Sequence, residues 1–166
     1  GGGDWAVDRL VPDALASFER GTAVVLRNPR AIRPWQHVLE PLSGYLLLAE
    51  RLWEDAATAG AWNFGPWDAD ARPVSWVVDQ LSRLWPGSPG WAMSVGEHPH
   101  EAQYLKLDTS RARAELGWAP TWNLRRSLEM IVNWHRGWLS GEPAADLCLS
   151  QIHTFTQDRR DGSPHV

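Results

Sequence analysis

Cysteine, lysine and long apolar runs are scarce in this sequence of 166 residues. Cys148 is the only cysteine, so no disulfide can form within the chain, and a reducing, cytoplasmic compartment fits best. No apolar run reaches the roughly 18–20 residues that span a bilayer, and the first residues do not form a signal peptide. The net charge of -4 argues against a nucleic-acid or anionic-membrane partner, because these favour clustered lysine and arginine.

The sequence does contain an ordinary apolar share, 43%, and an unusual number of tryptophans, twelve. The length and apolar share suffice for one domain with its own core. Each tryptophan is a large surface that has to be buried or used in contacts. The chain opens with three glycines, which are either a cloning scar or a turn cut from a longer chain.

Apolar periodicity and turn residues predict helices that alternate with short strands. Helices are predicted over residues 9–20, 73–85 and 147–155. Three more are predicted: one that begins at Pro41, a short one that ends at Gly117, and one that begins at Asn123. Strands are predicted over residues 24–26, 36–39, 61–65 and 91–95. On the helix from Pro41, the apolar residues at helical spacing are Leu42, Tyr45, Leu46, Ala49, Leu52 and Trp53. Alternating strands and helices predict an α/β fold with mostly parallel strands. Three or four short strands make a thin sheet, which indicates a part of a domain.

Several motifs occur in a fixed order along the chain. They are Gly1-Gly2-Gly3-Asp4-Trp5, the segment from Asp8 to Asp13, the segment from Arg27 to Leu46 with Arg33-Pro34-Trp35-Gln36-His37-Val38 inside it, Trp62-Asn63-Phe64-Gly65-Pro66, His100-Glu101-Ala102, the segment from Leu105 to Ala112, and Leu116-Gly117-Trp118. Together they resemble the CDP-glucose 4,6-dehydratases of the extended short-chain dehydrogenase/reductase superfamily. The resemblance runs from residue 1 to about residue 138, and it is to the C-terminal, substrate-binding portion of that Rossmann-type fold.

The resemblance implies a bound NAD and a catalytic Tyr-x-x-x-Lys pair, both located before the part that this chain matches. Here no Gly-x-Gly-x-x-Gly turn follows a strand, and neither Tyr45 nor Tyr104 has a lysine four positions later. We therefore expect the N-terminal, dinucleotide-binding part to be missing and the chain alone to be inactive. By resemblance, the parent enzyme converts CDP-glucose to CDP-4-keto-6-deoxyglucose and water, and it is expected to be a homo-oligomer.

The resemblance also indicates which residues of this sequence bind the nucleotide sugar. Arg33 is the proposed diphosphate ligand, since a guanidinium matches two phosphate oxygens; the alternative is a surface ion pair. Asn63 would donate to phosphate from the end of a strand, or it is simply a turn residue. Arg9 and Pro12 start a helix whose amides suit phosphate, or Arg9 is a solvated surface residue. Trp5 and Trp35 would line the sugar or base pocket, or they belong to the core.

His100 and Glu101 are expected near the nucleotide ribose, although a polar loop is the simplest account. A metal site at His98 and His100 is disfavoured, because their spacing around a proline does not match the helical zinc pattern. His37 is expected to be a satisfied core histidine, and Cys148 a small buried residue.

Two other function classes remain open. One is another epimerase or decarboxylase acting on nucleotide sugars, and the other is a carbohydrate-binding module, suggested by the tryptophans. The helical spacing of Trp53 and Trp138 favours packing over an exposed sugar platform. For the domain organisation, residues 1–141 are predicted to form the nucleotide-sugar-binding portion, followed by a short helix and polar tail over 142–166.

Overall fold

The computed structural model describes residues 2–96 and 102–162. Within these residues the helices are α1 (Leu10–Glu19), α2 (Leu39–Glu54), α3 (Val74–Leu84), α4 (Ser110–Leu116), α5 (Leu124–Leu139) and α6 (Ala144–Arg160), and the strands are β1 (Val24–Leu26), β2 (Ile32–Pro34), β3 (Ala71–Pro73) and β4 (Trp91–Met93). Short 3-10 helices cover Ala56–Thr58 and Asp68–Asp70. None of the helices in this part of the chain has the length and apolarity needed to cross a membrane.

The strands form two separate pairs. β1 pairs with β4 in parallel, and β2 pairs with β3 antiparallel. A single parallel bridge also joins Ile32 of β2 to Tyr104. The α/β class is therefore confirmed, whereas the expectation of mostly parallel strands holds for one of the two pairs.

The main core lies between the parallel strand pair and three helices. Its buried residues are Ala14, Leu15 and Phe18 of α1, Val24 and Leu26 of β1, Val77, Val78 and Leu81 of α3, and Leu124, Leu128, Ile131 and Val132 of α5. The alternating burial of β1 leaves Val25 65% exposed on the other face of the pair. Since parallel sheets are normally covered on both faces, this face is an open surface.

The predicted caps define the helices of the second half. The Asn123 side chain accepts a hydrogen bond from the backbone N–H of Arg126 at 2.9 Å, which satisfies one of the first-turn donors of α5. Gly117 ends α4 with a φ of 66°, a conformation that glycine adopts without steric cost. The α5 stripe is buried at Leu124, Leu128, Ile131 and His135, but Trp138 is 39% exposed.

Two of the predicted strands are wrong. The residues at 36–39 lead into α2, and the strand before them is Ile32–Pro34. The residues at 61–65 form no strand, because their carbonyls are bound by side chains instead: Gln36 Nε2 donates to Phe64 O at 2.9 Å, and Arg111 Nη1 donates to Ala61 O at 3.0 Å. An apolar run before Gly-Pro indicates burial, and Phe64 is buried, but it does not specify a pairing partner.

The last helix is longer than the sequence predicts, and the apolar stripe of α2 faces outwards. α6 begins directly after Pro143 and extends to Arg160, beyond the predicted 147–155 and into the predicted polar tail. On α2 the buried positions are Glu40 and Gly44, whereas Leu46 is 69% exposed and Trp53 is 93% exposed. The inference that the spacing of Trp53 places it in the core is therefore wrong. Cys148 is also exposed rather than buried.

Candidate functional site

A groove of about 390 Å³ lies at the N-terminal end of α1. Its lining residues are Gly2, Gly3, Asp4, Arg9, Leu10, Val11, Pro12, Leu15, Trp35, Gln36, Ile131 and His135. We call it the α1 groove. Three of the predicted site residues, Arg9, Pro12 and Trp35, are brought together here although the third is distant from the others in sequence.

The local sequence explains why α1 starts beside this groove. Arg9 is the extended N-cap residue, and the first backbone bond of the helix runs from Asp13 N to Arg9 O at 3.0 Å. Pro12 lies within the first turn, where its missing N–H costs no helical hydrogen bond. The amides of a first helical turn have no partner within the helix, and the helix dipole adds positive potential there. With the guanidinium of Arg9, this end of the groove suits an anion.

The opposite wall is formed by the two residues after β2. The Trp35 indole N–H donates to Arg72 O at 2.9 Å, which fixes the ring against the core. Gln36 uses its amide N–H to bind Phe64 O, while its Oε1 is buried with no hydrogen-bond partner among the described residues. An unsatisfied buried acceptor is costly. No sequence pattern marks Gln36 as a site residue, although it lies inside the segment from Arg27 to Leu46.

Trp5 lies next to the α1 groove but is not one of its lining residues. Its ring centroid is 4.5 Å from Trp138 and 5.6 Å from His135, and the side chain is 54% exposed. His135 itself lines the groove, and its Nε2 is 2.5 Å from Glu19 Oε1. Trp5 therefore packs on α5 beside the groove wall that His135 forms.

Arg33 and Asn63 both bind the backbone of one segment, residues 102–108. Arg33 Nη1 donates to Ala102 O at 2.7 Å and to Ile32 O at 2.9 Å, and Asn63 Nδ2 donates to Asp108 O at 3.2 Å. Neither residue lines the α1 groove. Asn63 is exposed and, since residues 61–65 form no strand, it does not stand at a strand end as predicted. The predicted residues His100 and Glu101 lie outside the described residues.

Two buried titratable residues, His37 and Glu40, lie at the start of α2. His37 is 1% exposed, and burial lowers its pKa to about 3, so the ring is neutral at physiological pH. Its Nδ1 accepts from Leu39 N at 3.3 Å, but its Nε2 has no partner in the described part of the chain. The expected core position is confirmed, and only one of the two ring nitrogens is satisfied.

Glu40 is fully buried in the first turn of α2. Its two carboxylate oxygens accept from Thr121 N at 2.9 Å and from Trp122 N at 2.7 Å. Burial raises the pKa of Glu40 to about 7, although these two backbone hydrogen bonds favour the charged form. Glu40 therefore joins α2 to the segment before α5. The sequence gives no sign of this role, because an acidic residue in a first helical turn is normally solvated.

The described parallel strands are not followed by the kind of turn that binds NAD. A dinucleotide site of this fold needs a glycine-rich turn between a parallel strand and a helix N-terminus. In the described residues the parallel strands β1 and β4 are instead followed by Arg27-Asn28-Pro29 and by Ser94-Val95-Gly96. No group of three or more histidine, cysteine, aspartate or glutamate side chains in the same part of the chain could hold a metal ion.

Comparisons with known proteins agree with the motifs. The chain is 54% identical over 143 residues to the CDP-glucose 4,6-dehydratase of Salmonella typhimurium, a match that covers 86% of this chain and 40% of that protein. The chain thus spans less than half the length of this curated relative. No family model matches the chain.

Two solved structures share the fold at low sequence identity. One is the UDP-glucose 4-epimerase of Thermotoga maritima, with a TM-score of 0.67, 19% identity, and coverage of 81% of this chain and 41% of that chain. The other is the UDP-N-acetylglucosamine 4-epimerase of Bacillus cereus, with a TM-score of 0.60, 16% identity, and coverage of 80% and 44%. The chain thus shares its fold with less than half of each of these two epimerase chains. The resemblance to the C-terminal part of the CDP-glucose 4,6-dehydratases, which the motifs predict, is confirmed by these matches.

Proposed function

We propose that this chain is the nucleotide-sugar-binding part of an NAD-dependent CDP-glucose 4,6-dehydratase. The observation that supports the proposal most directly is the α1 groove, which brings Arg9, Pro12 and Trp35 from two separate family motifs to one concave surface. The identity of 54% to a protein named for that activity supports the choice of substrate. The proposed reaction of the parent enzyme converts CDP-glucose to CDP-4-keto-6-deoxyglucose and water.

In this proposal the groove binds the nucleotide diphosphate at the start of α1. Arg9 and the first-turn amides of α1 supply positive charge and hydrogen-bond donors for the phosphate oxygens. Trp35 offers a fixed aromatic wall for a ring of the ligand. Binding energy at this non-reacting part of the substrate would be used to orient the sugar at the reaction centre.

Arg33 and Asn63 are proposed to contribute from the neighbouring segment 102–108. Their hydrogen bonds to Ala102 O and Asp108 O fix the backbone directly after His100 and Glu101, the predicted ribose ligands. By the resemblance, Arg33 is also proposed to be a ligand of the diphosphate. Trp5 is proposed to border the sugar end, next to His135.

The proton-transfer residues and the NAD site are proposed to belong to another part of a longer enzyme. This sequence has no Tyr-x-x-x-Lys pair, and its described parallel strands lack the glycine-rich turn. NAD, when bound there, would supply the hydride chemistry. The residues of this chain would bind and orient the substrate, and the parent enzyme is proposed to act as a homo-oligomer in the cytoplasm.

Binding of nucleotide sugars tests this proposal. The chain is titrated with CDP-glucose, UDP-glucose and dTDP-glucose by calorimetry, and we expect CDP-glucose to bind most tightly. Because a hydrogen bond to a charged group is strong, Arg9→Gln should weaken binding about tenfold or more. Arg20→Gln makes the same change of charge at the other, exposed end of α1 and should have no effect.

Three outcomes would contradict the proposal in different ways. Tighter binding of UDP-glucose or dTDP-glucose would favour an epimerase or a dehydratase for another nucleotide sugar. Binding of an oligosaccharide without a nucleotide would favour a carbohydrate-binding module. Equal losses in Arg9→Gln and Arg20→Gln would show that the α1 groove is not the binding site.

A further inference from the structure

A second and larger groove, of about 750 Å³, lies on another part of the surface. It lies between the segment from Trp67 to Trp76, the segment from Gly117 to Arg125, and the C-terminal end of α6. It shares no lining residue with the α1 groove. We call it the Trp76 groove. Its volume falls in the range typical of small-molecule sites, about 300–1,000 Å³.

Three arginines, Arg72, Arg125 and Arg159, line this groove. All three are exposed, and within residues 2–96 and 102–162 none of them forms a salt bridge. Exposed arginines elsewhere in the chain do pair with carboxylates, as Arg111 does with Glu115 at 3.1 Å. The chain has a net charge of -4, so this local group of unpaired cations runs against its overall charge.

Two of these guanidinium groups are held close to one indole ring. Arg72 Cζ is 5.3 Å and Arg125 Cζ is 5.2 Å from the centroid of the Trp76 ring. Arg125 Nη1 also donates to Oε1 of the buried Gln80 at 2.7 Å, which fixes the orientation of the guanidinium. The ring attracts each cation, but the two cations repel each other. An anion bound at these guanidinium groups would offset this repulsion and would meet donors that are already in place.

The two carboxylates in the groove are already engaged. Asp158 Oδ2 accepts from Trp122 Nε1 at 2.7 Å and is 3.9 Å from Arg126. Asp70 is half-buried, and burial raises its pKa, although a hydrogen bond from the Leu124 backbone and the charge of Arg72 favour the charged form. Their repulsion of an incoming anion is therefore partly offset. The start of α5 adds the positive end of a helix of 16 residues to the same side of the groove.

We propose that the Trp76 groove is a second binding site, specific for a small phosphate ester that carries a ring. The phosphate would bind Arg72 and Arg125, and the ring would pack against the tryptophan side chains of the groove, the exposed Trp67 and the partly buried Trp76. A dianion matches two guanidinium forks better than a single carboxylate does. The inference does not depend on the function proposed for the α1 groove, because the two sites share no residue.

Phenyl phosphate is the probe for this site, with inorganic phosphate and phenol as separate arms. Calorimetric titration of the whole chain should show saturable binding of phenyl phosphate, weaker binding of inorganic phosphate, and no binding of phenol. Arg125→Gln and Arg72→Gln should each weaken the binding of phenyl phosphate about tenfold or more. Arg83→Gln is the matched control, because Arg83 is exposed on α3 outside the groove.

The location of binding is decided by a comparison of the two grooves. Arg9→Gln should leave the affinity for phenyl phosphate unchanged, since Arg9 lines only the α1 groove. Near-ultraviolet circular dichroism checks that each variant is folded, and Arg159→Gln replaces any variant that is not. Absence of saturable binding, equal affinity for phenol, or a loss in Arg9→Gln rather than in Arg125→Gln would overturn the inference.

Discussion

Replacement of the buried Glu40 by glutamine should change how the stability of this protein depends on pH. The carboxylate is fully buried and accepts two backbone hydrogen bonds, from Thr121 and Trp122. Burial raises its pKa from the ordinary 4.5 to about 7. In Glu40→Gln the amide oxygen can replace one acceptor, but the NH₂ group faces the other backbone N–H. Below pH 7 the protonated carboxyl of the wild type leaves the same backbone donor unmatched, so the amide is a close replacement for that neutral form.

The sign of the pH effect follows from the raised pKa. The folded protein holds the Glu40 proton more tightly than the unfolded chain does, so this group contributes its full stability below about pH 4.5. That contribution is lost as the pH rises to about 7. At about 1.4 kcal/mol per pH unit, the loss amounts to about 3 kcal/mol. The variant has no such group, so it should be about as stable as the wild type near pH 4.5, where Glu40 is protonated, and more stable than the wild type near pH 8.

Urea unfolding at a series of pH values measures this difference. The free energy of unfolding of the wild type minus that of Glu40→Gln should decrease by about 3 kcal/mol between pH 4.5 and pH 8. His37 also titrates abnormally, but it is present in both proteins and its effect cancels in the difference. A difference that stays constant with pH would refute the explanation, because it would mean that the buried carboxylate has an ordinary pKa in the folded protein.

Two further predictions concern packing and exposed surface. Gly44→Ala should lower the free energy of unfolding by about 1–3 kcal/mol, because the new Cβ would lie 2.3 Å from the buried Phe64 ring. Gly137→Ala should cost less, because its Cβ meets the movable ends of the Leu147 and Glu142 side chains. Equal losses for the two variants in urea unfolding would contradict this. The exposed apolar stripe of α2 should make the isolated chain associate and bind an apolar dye. The double variant Leu46→Gln, Trp53→Gln should reduce the association and the dye binding. A monomeric, cooperative melt of the wild type without dye binding would count against this prediction.

The helices were predictable because their signals are local. Asn123 at the start of α5 and Gly117 at the end of α4 act through hydrogen bonds and backbone angles within a few residues, and both predictions are confirmed. The strands at 36–39 and 61–65 were not predictable, because a strand needs a partner that the local sequence does not specify. At 61–65 the distant side chains of Gln36 and Arg111 bind the backbone instead.

The candidate site was predictable only in part, and only through the resemblance. The motifs select Arg9, Pro12 and Trp35, and the structure brings them to one groove. Composition and spacing alone do not do so, because these residues are separated by more than a helix and a strand. The role of Gln36 and the whole Trp76 groove depend on which side chains converge after folding, and no motif marks that convergence.

The outward-facing stripe of α2 shows what apolar periodicity does and does not determine. A stripe at helical spacing predicts a helix with one apolar face, but it does not say which neighbour covers that face. On α2 the inner side carries a small residue and a polar one. Gly44 leaves room for the Phe64 ring, and Glu40 accepts hydrogen bonds from two backbone amides. The outer side carries Leu46 and Trp53, whose burial would add hydrophobic stabilisation. Together with the open face of β1, this is the surface that we expect a larger protein of the relatives' length to cover.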